Sequence, residues 1–439
     1  MARRPMKDIH PRAKELNRTI EAVSPTVLHL LSEKGRSIYF PRSGILAQGA
    51  EAAHCSINAT IGTALEEDGS PLRLEAVAKH LNLKPQEAFP YAPSPGLPAL
   101  RDRWAERMLE KNPSLSGKAI SRPLVCQAIT HGLSLVGALF VDPQDLVLHP
   151  DLFWGNYRLV FEHAHNARLT TYPLFSGDGL DLDGFVAAIQ AEPAQKRRVV
   201  ILNFPNNPTG YTPTLEEIPR LRDILLRTAE QGYRLLVILD DAYYGLVYED
   251  NVYRESLFAE LADLHENLLA VKVDGATKEE YAWGFRVGFI TYGIRGGNAD
   301  LYAALEEKTA GMLRGNISSA SRLSQSLILN ALNDPDYAQE KKIKFALMQK
   351  RYREVRRILD SHPETAQWFT PLPCNSGYFI CLRLLQGQAE AVRQRLISAY
   401  DTGVIALEGM IRIAFSSTPT DRLENLFNHI VSACRDVSV

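Results

Sequence analysis

Lys278 and Arg286 lie eight residues apart in a segment that reads Asp-Gly-Ala-Thr-Lys-Glu-Glu-Tyr-Ala-Trp-Gly-Phe-Arg. The mostly apolar run at residues 268–273 predicts a buried strand that ends shortly before the lysine. A lysine amine can form a Schiff base with an aldehyde, and a guanidinium can bind a phosphate through two parallel hydrogen bonds. The pair therefore suits a phosphate-bearing aldehyde, although a lone lysine in a loop is usually only a solvated charge.

Two upstream segments strengthen this interpretation. Residues 203–210 read Asn-Phe-Pro-Asn-Asn-Pro-Thr-Gly, and residues 240–243 read Asp-Asp-Ala-Tyr. Each segment follows an apolar run, at 199–202 and 235–239, and a helical pattern over 214–232 separates them. This alternation predicts a parallel sheet whose functional residues lie at the carboxyl ends of its strands.

With these motifs in this order, the chain resembles the class I and II aminotransferases, which are fold-type I pyridoxal-phosphate enzymes related to aspartate aminotransferase. The resemblance covers most of the chain, from about Tyr91 to Arg412. It implies an α/β fold, with a mostly parallel seven-stranded sheet flanked by helices in a large domain and a smaller α+β domain beside it. It also implies a pyridoxal 5′-phosphate cofactor attached to Lys278, and ping-pong transfer of an amino group between an amino acid and a 2-oxo acid.

The length of 439 residues predicts more than one domain. We expect an N-terminal arm with part of the small domain at 1–69, the large cofactor domain at 70–345 and the C-terminal small domain at 346–439. A charge-rich helix predicted over 335–362 would join the two domains. The last helix is predicted to begin at Thr418, which would be its N-cap and is followed by proline.

The phosphate of such a cofactor needs backbone N–H donors, preferably at the start of a helix. Residues 125–129 predict a strand, and the chain then turns through Gly132 and Leu133 into a helix predicted to begin at Ser134. Because glycine allows close approach of a ligand to the backbone, we expect the amides of Gly132 and Leu133 to be the donors. By resemblance this is the phosphate-binding turn; an ordinary strand–helix turn is the alternative.

The resemblance also implies that Thr277 and Arg286 complete the phosphate site. Tyr91 begins the sequence Tyr-Ala-Pro-Ser-Pro-Gly-Leu-Pro. It resembles the tyrosine that reaches the cofactor phosphate of the neighbouring subunit, which implies a homodimer with composite active sites. A proline- and glycine-rich surface loop with an incidental tyrosine is the alternative.

A carboxylate beside the pyridine nitrogen would keep the ring protonated, so that it withdraws electrons from the substrate Cα. Asp240 fits this role by its place at a strand end and by the family pattern Asp-x-Ala-Tyr. Asp241 is the alternative, because either acid could cap a helix. By resemblance, Tyr243 and Asn207 hydrogen-bond the phenolic oxygen of the cofactor.

Trp154 aligns with the aromatic residue that stacks on the cofactor ring in this family, and Phe153 is an alternative offset by one residue. Packing alone is the usual role of such a tryptophan. His163 and His165 could suggest a metal, but residues two apart on a helix do not face each other. We expect both histidines to be structural or exposed, and no metal site.

Two arginines suggest how substrate binds. Arg412 lies in an Ile-Arg-Ile strand, where a charged side chain needs an anionic partner. By resemblance that partner is the α-carboxylate of the substrate; an internal salt bridge is the alternative. Arg314 resembles the arginine that aspartate aminotransferases donate across the dimer interface to the distal carboxylate of aspartate or glutamate, although a Ser-Ser-Ala run follows where a polar-proline stretch is expected.

A formal net charge of −2, with 45% hydrophobic residues, indicates no general attraction to nucleic acid or to anionic membranes. No segment has the apolar length to span a bilayer, and five scattered cysteines predict reduced thiols in a cytoplasmic protein. The alternatives to an aminotransferase are a lyase or decarboxylase with the same fold and cofactor, a transcription regulator that senses the cofactor, and a non-catalytic relative. No basic helix-turn-helix precedes the cofactor domain, and the site residues are all present, which disfavours the last two.

Overall fold

A seven-stranded sheet lies at the centre of this computed structural model, which describes residues 9–41, 44–386 and 388–438. The strands, in chain order, are β1 Ile57–Asn58, β2 Leu124–Gln127, β3 Leu146–Pro150, β4 Arg168–Tyr172, β5 Phe175–Ser176, β6 Gly179–Leu180, β7 Arg197–Leu202, β8 Arg234–Asp240, β9 Leu268–Gly275, β10 Val287–Gly293, β11 Phe369–Pro371, β12 Phe379–Leu384, β13 Thr402–Gly403, β14 Ile405–Leu407 and β15 Met410–Ala414.

Helices cover the sheet and connect its strands. They are α1 Pro11–Val23, α2 Pro25–Leu30, α3 Glu33–Ser37, α4 Ile45–Glu51, α5 Glu75–Ala78, α6 Pro85–Ala88, α7 Pro98–Lys111, α8 Ala128–Phe140, α9 Leu182–Gln190, α10 Glu217–Glu230, α11 Leu257–Leu261, α12 Ala299–Ile317, α13 Arg322–Leu332, α14 Tyr337–Ser361, α15 Ala389–Tyr400 and α16 Leu423–Val437. In the described part of the chain, none of them is both long and apolar enough to cross a bilayer.

The large sheet has the strand order β2-β10-β9-β8-β7-β3-β4, and only β10 runs antiparallel to its neighbours. Strands β7, β8 and β9 are buried along almost their whole length, as expected for parallel strands covered by helices on both faces. This confirms the predicted α/β fold with a mostly parallel seven-stranded sheet. Because β7, β8 and β9 are adjacent and parallel, the segments that follow them meet at one edge of the sheet.

A second, antiparallel sheet of order β11-β12-β15-β14 forms the smaller domain. The parallel pair β1–β13 joins the N-terminal part of the chain to the C-terminal part. Helix α14 spans Tyr337–Ser361 and confirms the predicted connecting helix over 335–362. The boundaries at 69/70 and 345/346 remain predictions, and residues 1–8 of the expected arm lie outside the described residues.

The predicted start of the last helix at Thr418 is wrong. A 3₁₀ turn spans Thr420–Arg422, and α16 begins at Leu423. The Thr418 hydroxyl donates to the carbonyl of Ala414 at 3.1 Å and caps nothing. The first amide of the turn, that of Thr420, is bound instead by the carboxylate of Glu67 at 2.7 Å.

Candidate active site

Lys278 follows the end of β9 by three residues and so lies at the carboxyl edge of the large sheet. Its Nζ is 5.2 Å from the centre of the Tyr243 ring. The pKa of this amine is lowered to about 8, chiefly by burial and also by the charges of Arg286 and Arg412, while the charge of Asp240 opposes them. An amine that can be neutral near pH 8 can act as a nucleophile and as a carrier of protons.

Asp240 is the last residue of β8 and is buried. Its Oδ2 accepts a 2.5 Å hydrogen bond from the Tyr157 hydroxyl, and Oδ1 accepts one of 3.3 Å from the Ala242 amide. The pKa of Asp240 is raised to about 6, chiefly by burial; the hydrogen bond from Tyr157 opposes this rise, and the neighbouring charge of Asp241 supports it. Among the described residues no cation lies within ion-pair distance of this carboxylate, so it can accept a ligand that carries a positive charge.

Asp241, the alternative to Asp240, is committed to a buried ion pair. Its Oδ2 accepts from Lys272 Nζ at 2.6 Å and from the Ser256 hydroxyl at 2.5 Å. Lys272 also contacts Asp274 at 2.8 Å and is fully buried. Asp240 is the last residue of β8 and Asp241 is the first residue after it, and the two adjacent acids have separate partners.

Arg412 lies on β15 and is only 2% exposed. Its Nη1 donates to Oδ1 of Asn207 at 3.2 Å, its Nη2 donates to the carbonyl of Thr60 at 3.1 Å, and its guanidinium lies 4.2 Å from the Phe379 ring centre. Nε is buried with no partner, and no described carboxylate pairs with this arginine. The internal salt bridge considered as an alternative is therefore not found, and a buried guanidinium without an anion suits a carboxylate ligand.

The predicted strand–helix turn at Gly132 and Leu133 is wrong, because α8 begins at Ala128 rather than at Ser134. Gly132 and Leu133 lie in the second turn of the helix, where amides donate to carbonyls of the preceding turn. The glycine is needed for packing: a Cβ there would lie 2.7 Å from Cγ1 of Val273 on β9. The first-turn amides without a helical partner are those of residues 128–130, because the N-cap carbonyl of Gln127 accepts the first helical bond.

Thr277 and Arg286 remain candidates for the phosphate site. Thr277 is buried, and its Oγ1 has no hydrogen-bond partner among the described residues. Arg286 is exposed, and its Nη1 donates to the carbonyl of Trp283 at 3.2 Å. Its charge is one of the causes that lower the pKa of Lys278.

Two aromatic residues were candidates to cover a cofactor ring. Phe153 is engaged by the protein itself: its ring centre is 4.2 Å from that of His149 and 5.4 Å from the Arg158 guanidinium. Trp154 is half-buried and meets Tyr157 edge-on at 5.9 Å. This arrangement favours Trp154 as the stacking residue.

Tyr157 is a site residue that the sequence reasoning missed. It follows Trp154 by three residues, and its hydroxyl is the donor that holds Asp240. The feature of the sequence that could have identified Tyr157 is its position three residues after Trp154, itself a candidate site residue. Tyr91 and Arg314 are exposed, and no described hydrogen bond or ion pair joins either side chain to the site. His163 and His165 belong to no metal-binding group, since the described residues contain no cluster of three or more such ligands.

The arrangement fits a phosphorylated pyridine aldehyde. The unpartnered Thr277 hydroxyl lies beside Lys278 in sequence, and the Gly132 contact with Val273 places the start of α8 against the same strand, β9. Asp240 lacks a cationic partner and suits a protonated ring nitrogen. The amine of Lys278 suits the aldehyde carbon.

The comparisons with known proteins agree with this chemistry. A family model described as aminotransferase class I and II matches residues 57–430. The chain is 29% identical over 272 residues to the LL-diaminopimelate aminotransferase of Desulforudis audaxviator, with 60% of this chain and 61% of that protein covered. It is 24% identical over 248 residues to the aspartate aminotransferase of Bacillus subtilis, with 56% and 57% covered. The match thus spans about three fifths of the length of these curated relatives.

Solved structures resemble the whole fold. An aminotransferase from Anaerococcus prevotii superposes with a TM-score of 0.81 at 20% identity, covering 92% of this chain and 98% of that one. An aspartate aminotransferase mutant from Thermus thermophilus superposes with a TM-score of 0.71 at 19% identity, covering 92% and 99%. At these identities the likeness shows the fold.

Proposed function

The chain belongs to the class I and II aminotransferase family, and we propose that it is an aminotransferase that uses pyridoxal 5′-phosphate to move an amino group between an amino acid and a 2-oxo acid. The family uses this cofactor. The observation that carries the proposal is the surroundings of Lys278: a buried amine whose pKa responds to the charges of Asp240 and Arg412, neither of which has an oppositely charged partner among the described side chains.

When bound, the cofactor supplies an aldehyde for amines and a protonated ring that withdraws electrons from the substrate Cα. Asp240, held by Tyr157, keeps the ring nitrogen protonated. Arg412 orients the substrate through its α-carboxylate, and Asn207 fixes that guanidinium. The amine of Lys278 takes the proton from Cα and acts as general acid when a proton must be returned.

We further propose a homodimer in which Tyr91 and Arg314 serve the neighbouring site. In support, Tyr91 is 89% exposed and Phe89 is 86% exposed, although large aromatic side chains are mostly buried in folded proteins. A mixture of K278A and Y91A chains tests this arrangement, because a heterodimer would contain one site with neither defect. Activity that returns on mixing supports shared sites; sedimentation as a monomer contradicts them.

We propose a cytoplasmic location as well. All five cysteines are free thiols, and four of them are buried. Unpaired cysteines are typical of a reducing compartment. Nucleic acid and membrane are not among the expected partners.

The visible spectrum of the protein loaded with pyridoxal 5′-phosphate tests the reaction. Glutamate should abolish the absorption band of the lysine-bound cofactor, and 2-oxoglutarate should restore it. Ammonia and pyruvate formed without an amino acceptor would assign a lyase instead.

The same absorption band tests the role of Lys278. K278A should show no such band and K342A should keep it, since Lys342 is exposed on α14. A K278A protein that reacts like the unaltered chain would refute the assignment.

A further inference from the structure

Tyr378 contacts the reactive lysine from the small-domain side of the site. Its hydroxyl donates a 2.7 Å hydrogen bond to the backbone carbonyl of Lys278. Tyr378 is fully buried and immediately precedes β12, which pairs with the strand that carries Arg412. The bond therefore joins the peptide of Lys278, in the large domain, to the sheet of the small domain.

The residue after Tyr378 brings this contact close to the substrate site. Phe379 lies beneath the guanidinium of Arg412 at 4.2 Å and meets the Tyr243 ring at 5.6 Å. Tyr378 meets the same Tyr243 ring at 5.4 Å. Arg412 and Lys278 are thus linked through two adjacent residues of one chain segment.

A second contact holds the residues that follow the lysine. Lys341, on α14, places its Nζ 2.9 Å from Glu279 and 3.2 Å from Glu280, and it also donates to the carbonyl of Glu279 at 3.0 Å. Glu280 is almost completely buried and also binds Arg107 at 2.6 Å. The segment 278–280 is therefore fixed by the helix that leads into the small domain as well as by Tyr378.

We propose that Tyr378 is a positioning residue for Lys278 and that, with Lys341, it couples the lysine to the domain that binds the substrate carboxylate. A hydrogen bond to the carbonyl fixes the plane of the peptide from which the lysine side chain extends. Displacing a reacting group by about 1 Å can slow a reaction about 100-fold, so such fixing affects turnover. The kinetic part of the proposal rests on the proposed function, whereas the fixing of the segment does not.

Tyr378→Phe tests the proposal, because it removes one hydroxyl and keeps the ring. Tyr248→Phe is the matched control: Tyr248 is also buried, and its hydroxyl donates at 2.8 Å to the carbonyl of Gly377, the residue before Tyr378. Both variants lose one buried phenol–carbonyl bond, and only one of these bonds involves Lys278.

Two measurements on the full chain separate the outcomes. Amide hydrogen exchange of the peptide over 276–282, with and without cofactor, should become about 5- to 10-fold faster in Tyr378→Phe and remain unchanged in Tyr248→Phe. With cofactor, kcat should fall about tenfold or more in Tyr378→Phe at an almost unchanged KM for the amino acid. The proposal is wrong if exchange fails to distinguish the two variants, or if kcat fails to do so in a chain that has transaminase activity.

Lys341→Met, with exposed Lys342→Met as its control, tests the second contact in the same way. Faster exchange at 276–282 in Lys341→Met alone supports coupling through α14, and equal exchange in both contradicts it. Exchange measured without cofactor does not depend on the reaction. A chain without transaminase activity would therefore refute the proposed function and still allow the positioning of Lys278 to be judged.

Discussion

The hydroxyl of Tyr157 donates a 2.5 Å hydrogen bond to Oδ2 of Asp240, and both residues are buried. The bond favours the charged carboxylate, whereas burial and the nearby Asp241 favour its protonated form. Because Asp240 has a pKa raised to about 6, the balance between these effects falls close to neutral pH. A small change at Tyr157 should therefore change the charge of Asp240 under working conditions.

Tyr157→Phe should raise the pKa of Asp240 further. A hydrogen bond to a charged group contributes about 1.5–3 kcal/mol, which corresponds to roughly 1–2 pKa units. Protonation of Asp240 as the pH is lowered should weaken cofactor binding. We expect this loss of affinity, measured by equilibrium dialysis between pH 8 and 5, to begin at a pH at least about one unit higher in the variant than in the unaltered chain. An unchanged pH profile would show that Tyr157 does not control this carboxylate.

Lys278→Met should stabilise the cofactor-free protein at neutral pH. The pKa of Lys278 is lowered to about 8 in the folded state, against about 10.4 in an unfolded chain. The unfolded chain therefore binds more protons between these values, so the stability of the unaltered protein rises with pH across this window. We expect the variant to be more stable by about 1–3 kcal/mol at pH 7, with the difference vanishing by about pH 10.5. Urea unfolding at several pH values measures this, and a difference independent of pH would contradict it.

The strands and the residues at their ends could be predicted because their signals are local. An apolar run followed by Asp240, or by Lys278, identifies a strand and its carboxyl end without any distant contact. The errors concern elements set by remote contacts or by backbone angles. Glu67 binds the turn before α16 from more than 350 positions away, and α8 begins at Ala128, whose φ of 63° is one that alanine rarely adopts.

The left-handed conformation of Ala128 leads to a prediction about stability. A Cβ in this conformation costs roughly 1–2 kcal/mol, and glycine avoids that cost. We expect Ala128→Gly to raise the free energy of unfolding by about 0.5–1 kcal/mol, after allowance for the greater freedom of glycine in the unfolded chain. Thermal unfolding measures the change, and a lower midpoint would contradict it.

Gly132→Ala, four residues away on the same helix, should act in the opposite direction. Its Cβ would lie 2.7 Å from Cγ1 of Val273, so α8 or β9 must shift. Overpacking of this kind costs typically about 1–3 kcal/mol. Gly132→Ala also tests where α8 begins. A clear loss of stability indicates a start at Ala128, which places Gly132 inside the helix; if the helix began at Ser134, Gly132 would lie in an open turn and would tolerate alanine better.

Arg412→Ala should weaken the binding of every amino acid substrate, since all of them carry the α-carboxylate. Removing one partner of a buried charge pair costs roughly 2–5 kcal/mol, or about 30- to 4,000-fold in affinity. An unreactive α-methyl amino acid titrated against the loaded protein measures this, with exposed Arg353→Ala as the control. Equal affinities in the two variants would remove Arg412 from the substrate site.

Arg314 should discriminate between substrates. It lies exposed near the end of α12. If it reaches the neighbouring site of a dimer, it becomes buried there against the distal carboxylate of a dicarboxylic amino acid. Arg314→Ala should then lower kcat/KM for aspartate and glutamate by about 30-fold or more, as expected for roughly 2–5 kcal/mol, and leave aromatic and aliphatic donors almost unaffected.

Exposed Arg295→Ala provides the control for a change in overall charge, because it removes a positive charge from the surface just before the same helix. A general charge effect would lower kcat/KM for dicarboxylic substrates equally in both variants. This loss would become smaller with added salt, since charges in water are screened over about 8 Å at physiological ionic strength. A selective loss in Arg314→Ala that persists at high salt indicates a desolvated pair with the substrate. If aromatic or aliphatic donors react best in the unaltered chain, Arg314 is a surface charge and the dicarboxylic assignment is wrong.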